Sequence, residues 1–347
     1  METELDRLKR WKKKGRARPF IMDINPTDRC NLNCKSCWQR NPKFRNLDSS
    51  YELSDKKLVE IVKEGIDLGV EKFEITGGGE PLMRKDLVFK LMEKIKDNGM
   101  KGNLTTNGTL FSKKDLKYIE NIGWDSLTFS VDGPNEKIND YLRGKGSFSE
   151  IKKSLNFLKK NKGEEPRLKF NTVISNKNYN KLEEMIQLAK KFNVEIVSFE
   201  TLTVHSKLGE GLKLDEKQKK YVQDKIPEIL EKAGDLGIET NINSFRSEYF
   251  EKSNRMDENM QAGDGFSSIP CYEPWYHIVI KVDGSVQPCC LYDSDKENVK
   301  KKSLEEIWFG DFFSKIRENM KKGKFSEYCK ICNASQVIAN EEIRREL

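Results

Sequence analysis

Residues 101–131, "KGNLTTNGTLFSKKDLKYIENIGWDSLTFSV", decide the fold. A strand predicted at 101–105 runs into a polar turn, and a helical pattern follows at 112–122. Ser112 stands at the N-cap, Leu116 and Ile119 share one helical face, and Gly123 supplies the stop. A second extended stretch follows at once, at 125–131. Strand, helix and strand in such close succession require parallel strands joined by a right-handed crossover.

The unit recurs on both sides. Strands are predicted at 19–25, 71–76, 168–174 and 195–201, and helices at 84–98, 147–161, 178–192 and 215–236. A further helix lies between Ser54 as cap and Gly69 as stop, with Leu58, Ile61, Val62 and Ile66 on its buried face. Six units are two short of a closed barrel, so the expected class is α/β, an open, partial (β/α)6 TIM-like barrel. Residues 271–335 read as a small second domain of hairpin plus helix, with the hairpin turning at Asp283 and Gly284 and Ser303 capping the helix. A leader at 1–18, a barrel at 19–242, a linker or mobile loop at 243–270 and a tail at 336–347 complete the expected division.

Net charge is +7, and much of the excess sits in 7–19, "RLKRWKKKGRARP", with eight basic residues and no acid. That stretch reads as a solvated leader, and a nucleic-acid partner is not expected. No apolar run is long enough to span a membrane and no signal-peptide core opens the chain, so a cytoplasmic protein is expected. Eight cysteines in a reducing compartment argue for metal rather than disulfides. They form two groups, at 30–37 and 271–332.

Cys30, Cys34 and Cys37, spaced C-x3-C-x2-C, can hold three irons of a [4Fe-4S] cluster. A zinc ion would want a fourth ligand nearby, and the two histidines, His205 and His277, are distant and read as packing or surface residues. The fourth iron is left open to a small molecule. Polar stretches fall after successive strands: these cysteines, then "GGGEP", "TNG" and "DGP".

In these stretches the chain resembles the radical S-adenosylmethionine (radical SAM) superfamily. The resemblance implies that AdoMet chelates the open iron and that one-electron reduction cleaves it to a 5′-deoxyadenosyl radical, which takes a hydrogen atom from a substrate. Gly78, Gly79, Glu80 and Pro81 match the loop that approaches the AdoMet amino group, and Asn107 lies in the matching "TNG". Ser130 and Asp132 match positions that contact its ribose and methionine ends. Arg143 matches the arginine that pairs with its carboxylate and is expected to act with the three cysteines in catalysis. The family's aromatic before the third cysteine is replaced by Ser36, with Trp38 beside the site as the compensating adenine contact.

Cys271, Cys289, Cys329 and Cys332 match a shortened SPASM, or twitch, domain and would close an auxiliary [4Fe-4S] cluster with no iron left open. Zinc is the alternative at such thiol spacings. Cys290 is a spectator, an alternate ligand or a hydrogen-atom donor.

The resemblance implies an oxidoreductase-type outcome in which the auxiliary cluster accepts an electron during dehydrogenation, or during maturation of a small-molecule or peptide substrate. An external one-electron reductant of the ferredoxin or flavodoxin type is implied. The alternatives are an epimerase that uses Cys290 as donor, and a non-catalytic iron–sulfur or zinc scaffold that binds RNA or a protein. Few residues precede the first strand, which weakens a peptide substrate. A molybdopterin-type cyclase is not expected, since its C-terminal cysteine spacing and glycine–arginine tail are missing. Substrate contacts are expected from 203–214, 243–270 and the auxiliary domain.

Overall fold

The computed structural model describes residues 2–41, 49–161, 163, 165–246, 265–332 and 334–347. Six parallel strands follow one another in sequence order: β1 (Ile21–Ile24), β2 (Lys72–Ile75), β3 (Lys101–Thr106), β4 (Ser126–Ser130), β5 (Arg167–Val173) and β6 (Ile196–Glu200). Between them run helices Asp55–Leu68, Lys85–Asp97, Lys113–Asn121, Ser147–Asn161 and Leu182–Lys191. The caps act as their residue types require. Ser54 accepts from Lys57 N, Gly69 ends its helix in the left-handed region, and Ser112 and Asp115 form a reciprocal capping box.

The two faces of the sheet differ sharply. Phe73, Leu104, Leu127, Phe129, Phe170, Val197 and Phe199 are fully buried under the helices. Alternate positions, among them Glu74, Asn103, Thr128, Asn171, Ser198 and Glu200, are polar. Asn103 ties this inner face together: it donates to Glu74 Oε2 at 2.6 Å and accepts from Ser126 and Thr128 at 2.8 and 3.0 Å. Parallel sheets are usually apolar on both faces. A polar inner face therefore marks an unfilled barrel interior, the space in which a substrate can lie.

The sheet is wider than the six expected strands. β7 (Glu239–Thr240) pairs with β6, while β8 (His277–Ile280) pairs in parallel with β1 and carries the antiparallel β9 (Val286–Gln287). The hairpin turns at Asp283 and Gly284 as read, but it extends the barrel's own sheet. The reason is the unpaired edge that β1 would otherwise present.

The basic stretch at 7–19 is not a solvated leader. Helix Glu4–Lys14 buries Arg7, Leu8 and Trp11, and Arg7 donates to the carbonyls of Pro19 and Gly69 at 3.0 and 3.2 Å. Trp11 Nε1 donates to Trp275 O at 2.6 Å. Counting charge hid the spacing of Arg7, Leu8 and Trp11, which lie along one face. The tail at 336–347 belongs to helix Ala334–Glu346, which buries Val337 and Asn340. Most of the expected linker, 247–264, lies outside the described residues. Among the described residues no helix is long and apolar enough to cross a membrane.

Candidate functional site

Cys30, Cys34 and Cys37 occupy the loop after β1, each half-buried. The turn between the last two is closed by Cys37 N donating to Cys34 O at 3.3 Å. What holds the loop is its contact with the glycines after β2. Gly79 N and Glu80 N donate to Thr27 O and Arg29 O at 2.7 and 2.8 Å. A Cβ on Gly79 would lie 2.0 Å from Arg29 O, and Gly78, at φ +62°, would put one 2.4 Å from Thr27 O. Glycine is required here so that the two loops can touch.

Glu80 is 2% exposed and accepts from Leu82 N, Thr106 Oγ1 and Asn107 N at 3.1, 2.6 and 2.7 Å. Burial raises its pKa although these donors oppose the rise. The carboxylate thereby locks Asn107 in place. Asn107 Nδ2 in turn donates to Asn31 Oδ1 at 2.9 Å and lies 4.0 Å from Cys30 Sγ. Pro81 opens the short helix Pro81–Arg84 and is buried.

Arg143 ends helix Glu136–Arg143, an element missed in the sequence although Asn135 caps it and Leu142 is buried on it. Its Nη1 meets Asp132 Oδ2 at 2.8 Å, and its buried Nε has no hydrogen-bond partner among the described residues. Burial alone would lower the guanidinium's pKa, but Cys34, Asp132 and Cys30 more than offset it, so the group stays charged. Asp132 is itself fixed by Val173 N at 2.9 Å, and its backbone is held by Asn139 and Asn178. Neither asparagine belongs to a motif, and Asn178 lies 46 residues away, so neither carries a signal in the sequence. Ser130 closes β4 beside this pair, and Trp38 opens the turn Trp38–Arg40 directly after Cys37.

These residues fit an iron–sulfur group with a cationic, donor-rich flank. Burial pushes the Cys30 thiol up to about 11, with Cys34, Glu80 and Cys37 adding to it, and burial also raises Cys37. Such thiols ionise at neutral pH only when a metal takes them. The orphaned Arg143 Nε is a donor still to be filled.

The second site is assembled from three segments. Cys271, Cys289, Cys290, Cys329 and Cys332 line one cavity of about 870 Å³. Cys271 and Cys332 are buried, Cys289 and Cys329 half-buried, and Cys290 exposed. Burial raises Cys271 and Cys289 well above the ordinary thiol range, and for Cys271 the neighbouring Glu273, Cys332 and Cys289 add to the rise. Here too only a metal group makes thiolates of them. Among the described residues no three His, Cys, Asp or Glu side chains converge on a single ion. A zinc site needs all its sulfurs about 2.3 Å from one centre.

His277, expected to be a packing or surface residue, lines this cavity. Its Nε2 lies 3.0 Å from Asp23 Oδ1, and its Nδ1 contacts Glu273 Oε2. Burial opposes its charge, yet Asp23 and Glu273 raise its pKa well above the usual histidine value. Glu200 reaches the same cavity from the end of β6 and accepts from Ser335 Oγ at 3.2 Å.

The family model described as "Radical SAM superfamily" matches residues 24–189, and the "Iron-sulfur cluster-binding domain" model, SPASM, matches 271–333. A GTP 3′,8-cyclase of Thermodesulfovibrio yellowstonii is 31% identical over 313 residues, which cover 86% of this chain and 88% of that one. An uncharacterized protein of Archaeoglobus fulgidus is 39% identical over 135 residues, which are 39% of this chain and 31% of that protein. Among solved structures, native anSMEcpe with bound AdoMet and Cp18Cys peptide has a TM-score of 0.67 at 18% identity. That match covers 94% of this chain and 96% of that one, and it shows the fold alone.

Proposed function

The chain belongs to the radical SAM superfamily and carries an auxiliary iron–sulfur domain, and from that premise we propose that it oxidises its substrate, with the auxiliary cluster as electron acceptor. The observation that carries this reading is the lining of one cavity by Cys271, Cys289, Cys329 and Cys332. Four thiols satisfy every iron of a cubane. A cluster closed in this way can accept an electron but has no open iron with which to hold a substrate.

When bound, the [4Fe-4S] group and AdoMet at the first site supply the carbon radical that abstracts a hydrogen atom. The chain's own part is positioning and exclusion of water. Cys30, Cys34 and Cys37 hold the cluster on a loop pinned by Gly78 and Gly79. Arg143 offers its guanidinium to the AdoMet carboxylate, with Asp132 setting its orientation. Glu80 fixes Asn107 against the cysteine loop. The polar inner face, with Glu74, Asn103, Thr128 and Asn171, receives a polar small molecule or a peptide side chain.

The cyclase relative raises a second reading, ring closure on a nucleotide. The auxiliary cavity speaks against it. Glu4, Asp23, Glu74, Glu200, Glu273, Glu342 and Glu346 line that cavity, and among the described residues His277 is the one basic side chain that does. Such a field repels a triphosphate. Anaerobic reconstitution tests the reading: about eight irons per chain and 5′-deoxyadenosine on reduction are expected, with substrate leaving two electrons poorer. Conversion of GTP to a cyclised product would contradict it.

A further inference from the structure

Beside the first cysteine site lies a surface that the chemistry above does not use. Tyr141 is 47% exposed, one of four exposed large apolar side chains among the described residues. Two lysines flank its ring, with Lys35 Nζ 4.1 Å and Lys177 Nζ 5.9 Å from the centroid. Lys35 also donates through Nζ to Tyr141 O at 2.8 Å. Two cations on one exposed ring make a small cationic, aromatic platform.

The platform is joined directly to the cluster-holding loop. Lys35 is the neighbour of Cys34, and Lys35 N donates to Leu142 O at 2.8 Å. Cys34 Sγ lies 3.5 Å from Arg143 O, two residues beyond Tyr141. A redox protein seated on Tyr141 is therefore a few bonds and one hydrogen bond from a cysteine that holds the cluster. The opposite choice, entry through the auxiliary cavity, places the partner against Glu4, Glu342 and Glu346, and among the described residues no Lys or Arg lines that cavity.

We propose that Tyr141, Lys35 and Lys177 form the docking surface for an acidic one-electron carrier protein that reduces the three-cysteine site. Lysines around an aromatic anchor suit a partner with a carboxylate-rich rim around its redox centre, where charge steers the encounter and the ring is desolvated on contact. The carrier gives up one electron and the iron–sulfur group held by Cys30, Cys34 and Cys37 gains it. The inference rests on the radical SAM reading of that site.

The test uses reconstituted full-length protein and a purified bacterial flavodoxin, reduced to its hydroquinone. Binding is followed by calorimetry, and deoxyadenosine formation is driven either by flavodoxin or by dithionite. For Lys35→Glu combined with Lys177→Glu, binding is expected to weaken about tenfold or more. Flavodoxin-driven turnover should fall with it at limiting carrier, while dithionite-driven turnover stays at the wild-type level. Added salt should weaken wild-type binding toward that of the variant. Tyr141→Ala should weaken binding without changing its salt dependence. Wild-type affinity in the double variant, or no flavodoxin binding by wild type, overturns the proposal. If dithionite-driven turnover also falls in the double variant, the cysteine loop has been damaged and Lys177→Glu alone decides by the same binding criterion. If dithionite yields no deoxyadenosine from wild type, the functional reading fails while the binding titration still decides docking.

Discussion

The two cysteine sites answer the same demand, thiols that must ionise inside the protein, in opposite ways. The first takes three thiols from eight consecutive residues, 30–37, and sets the Arg143 guanidinium against them. The second gathers its thiols from residues 271, 289, 329 and 332 and surrounds them with carboxylates, with His277 as the basic group in the lining. A local loop of three thiols flanked by cations, Arg143 and Arg40, leaves a place for a ligand that carries a carboxylate. A closed set of thiols in an acidic cavity leaves none. On the proposed reading, the contrast separates a site that binds a reactant from a site that accepts an electron.

Cysteine removal gives the largest expected effects and tests the contrast most harshly. Cys34→Ala should take deoxyadenosine formation to background and lower iron from about eight to about four per chain. Cys329→Ala should lose the other four irons while deoxyadenosine still forms, with substrate oxidation lost. Cys290→Ala should change neither, since Cys290 is the exposed member of the five. If Cys329→Ala abolished deoxyadenosine formation as fully as Cys34→Ala, the two sites would not be separable.

Gly79→Ala comes next. Its Cβ would fall 2.0 Å from Arg29 O, so the two loops must part. A cost of about 1–3 kcal/mol is expected from overpacking at a backbone contact. It should appear as a lower midpoint in denaturant and as weaker AdoMet binding, with the auxiliary iron retained. An unchanged midpoint would show that the loop contact is not what holds the first site.

The smallest effect concerns the acidic lining. His277 has its pKa raised in the folded state, burial being outweighed by Asp23 and Glu273. Its stabilisation is therefore complete below the unfolded value of 6.5 and is lost as pH rises through the higher folded value. The stability gap between wild type and His277→Gln should be widest near pH 6 and narrow toward alkaline pH in equilibrium unfolding. A gap that widens with pH would contradict the ion pairs.

The contrast also explains what could be read from the chain. The six parallel strands and the caps at Ser54 and Ser112 were legible because helix and strand periods are local signals. The cysteine loop and the glycines after β2 were legible too, since each is a compact motif. Their contact was not, because backbone meeting backbone leaves no spacing to count. The pairing of β8 with β1, and of His277 with Asp23, spans some 250 residues and leaves no periodic trace. Helix Glu4–Lys14 was hidden by its own charge: eight basic residues at 7–19 outweighed Leu8 and Trp11 in a reading by composition.

One measurement reaches the central claim, that one site is open to AdoMet and the other is closed. The reconstituted protein is reduced, and its electron paramagnetic resonance spectrum is recorded before and after AdoMet is added, in wild type and in the Cys30→Ala, Cys34→Ala, Cys37→Ala variant. Two cluster signals are expected in wild type, of which AdoMet shifts one, and a single signal in the variant that AdoMet leaves unchanged. A variant signal that moves with AdoMet, or two wild-type signals that both stay fixed, would contradict it.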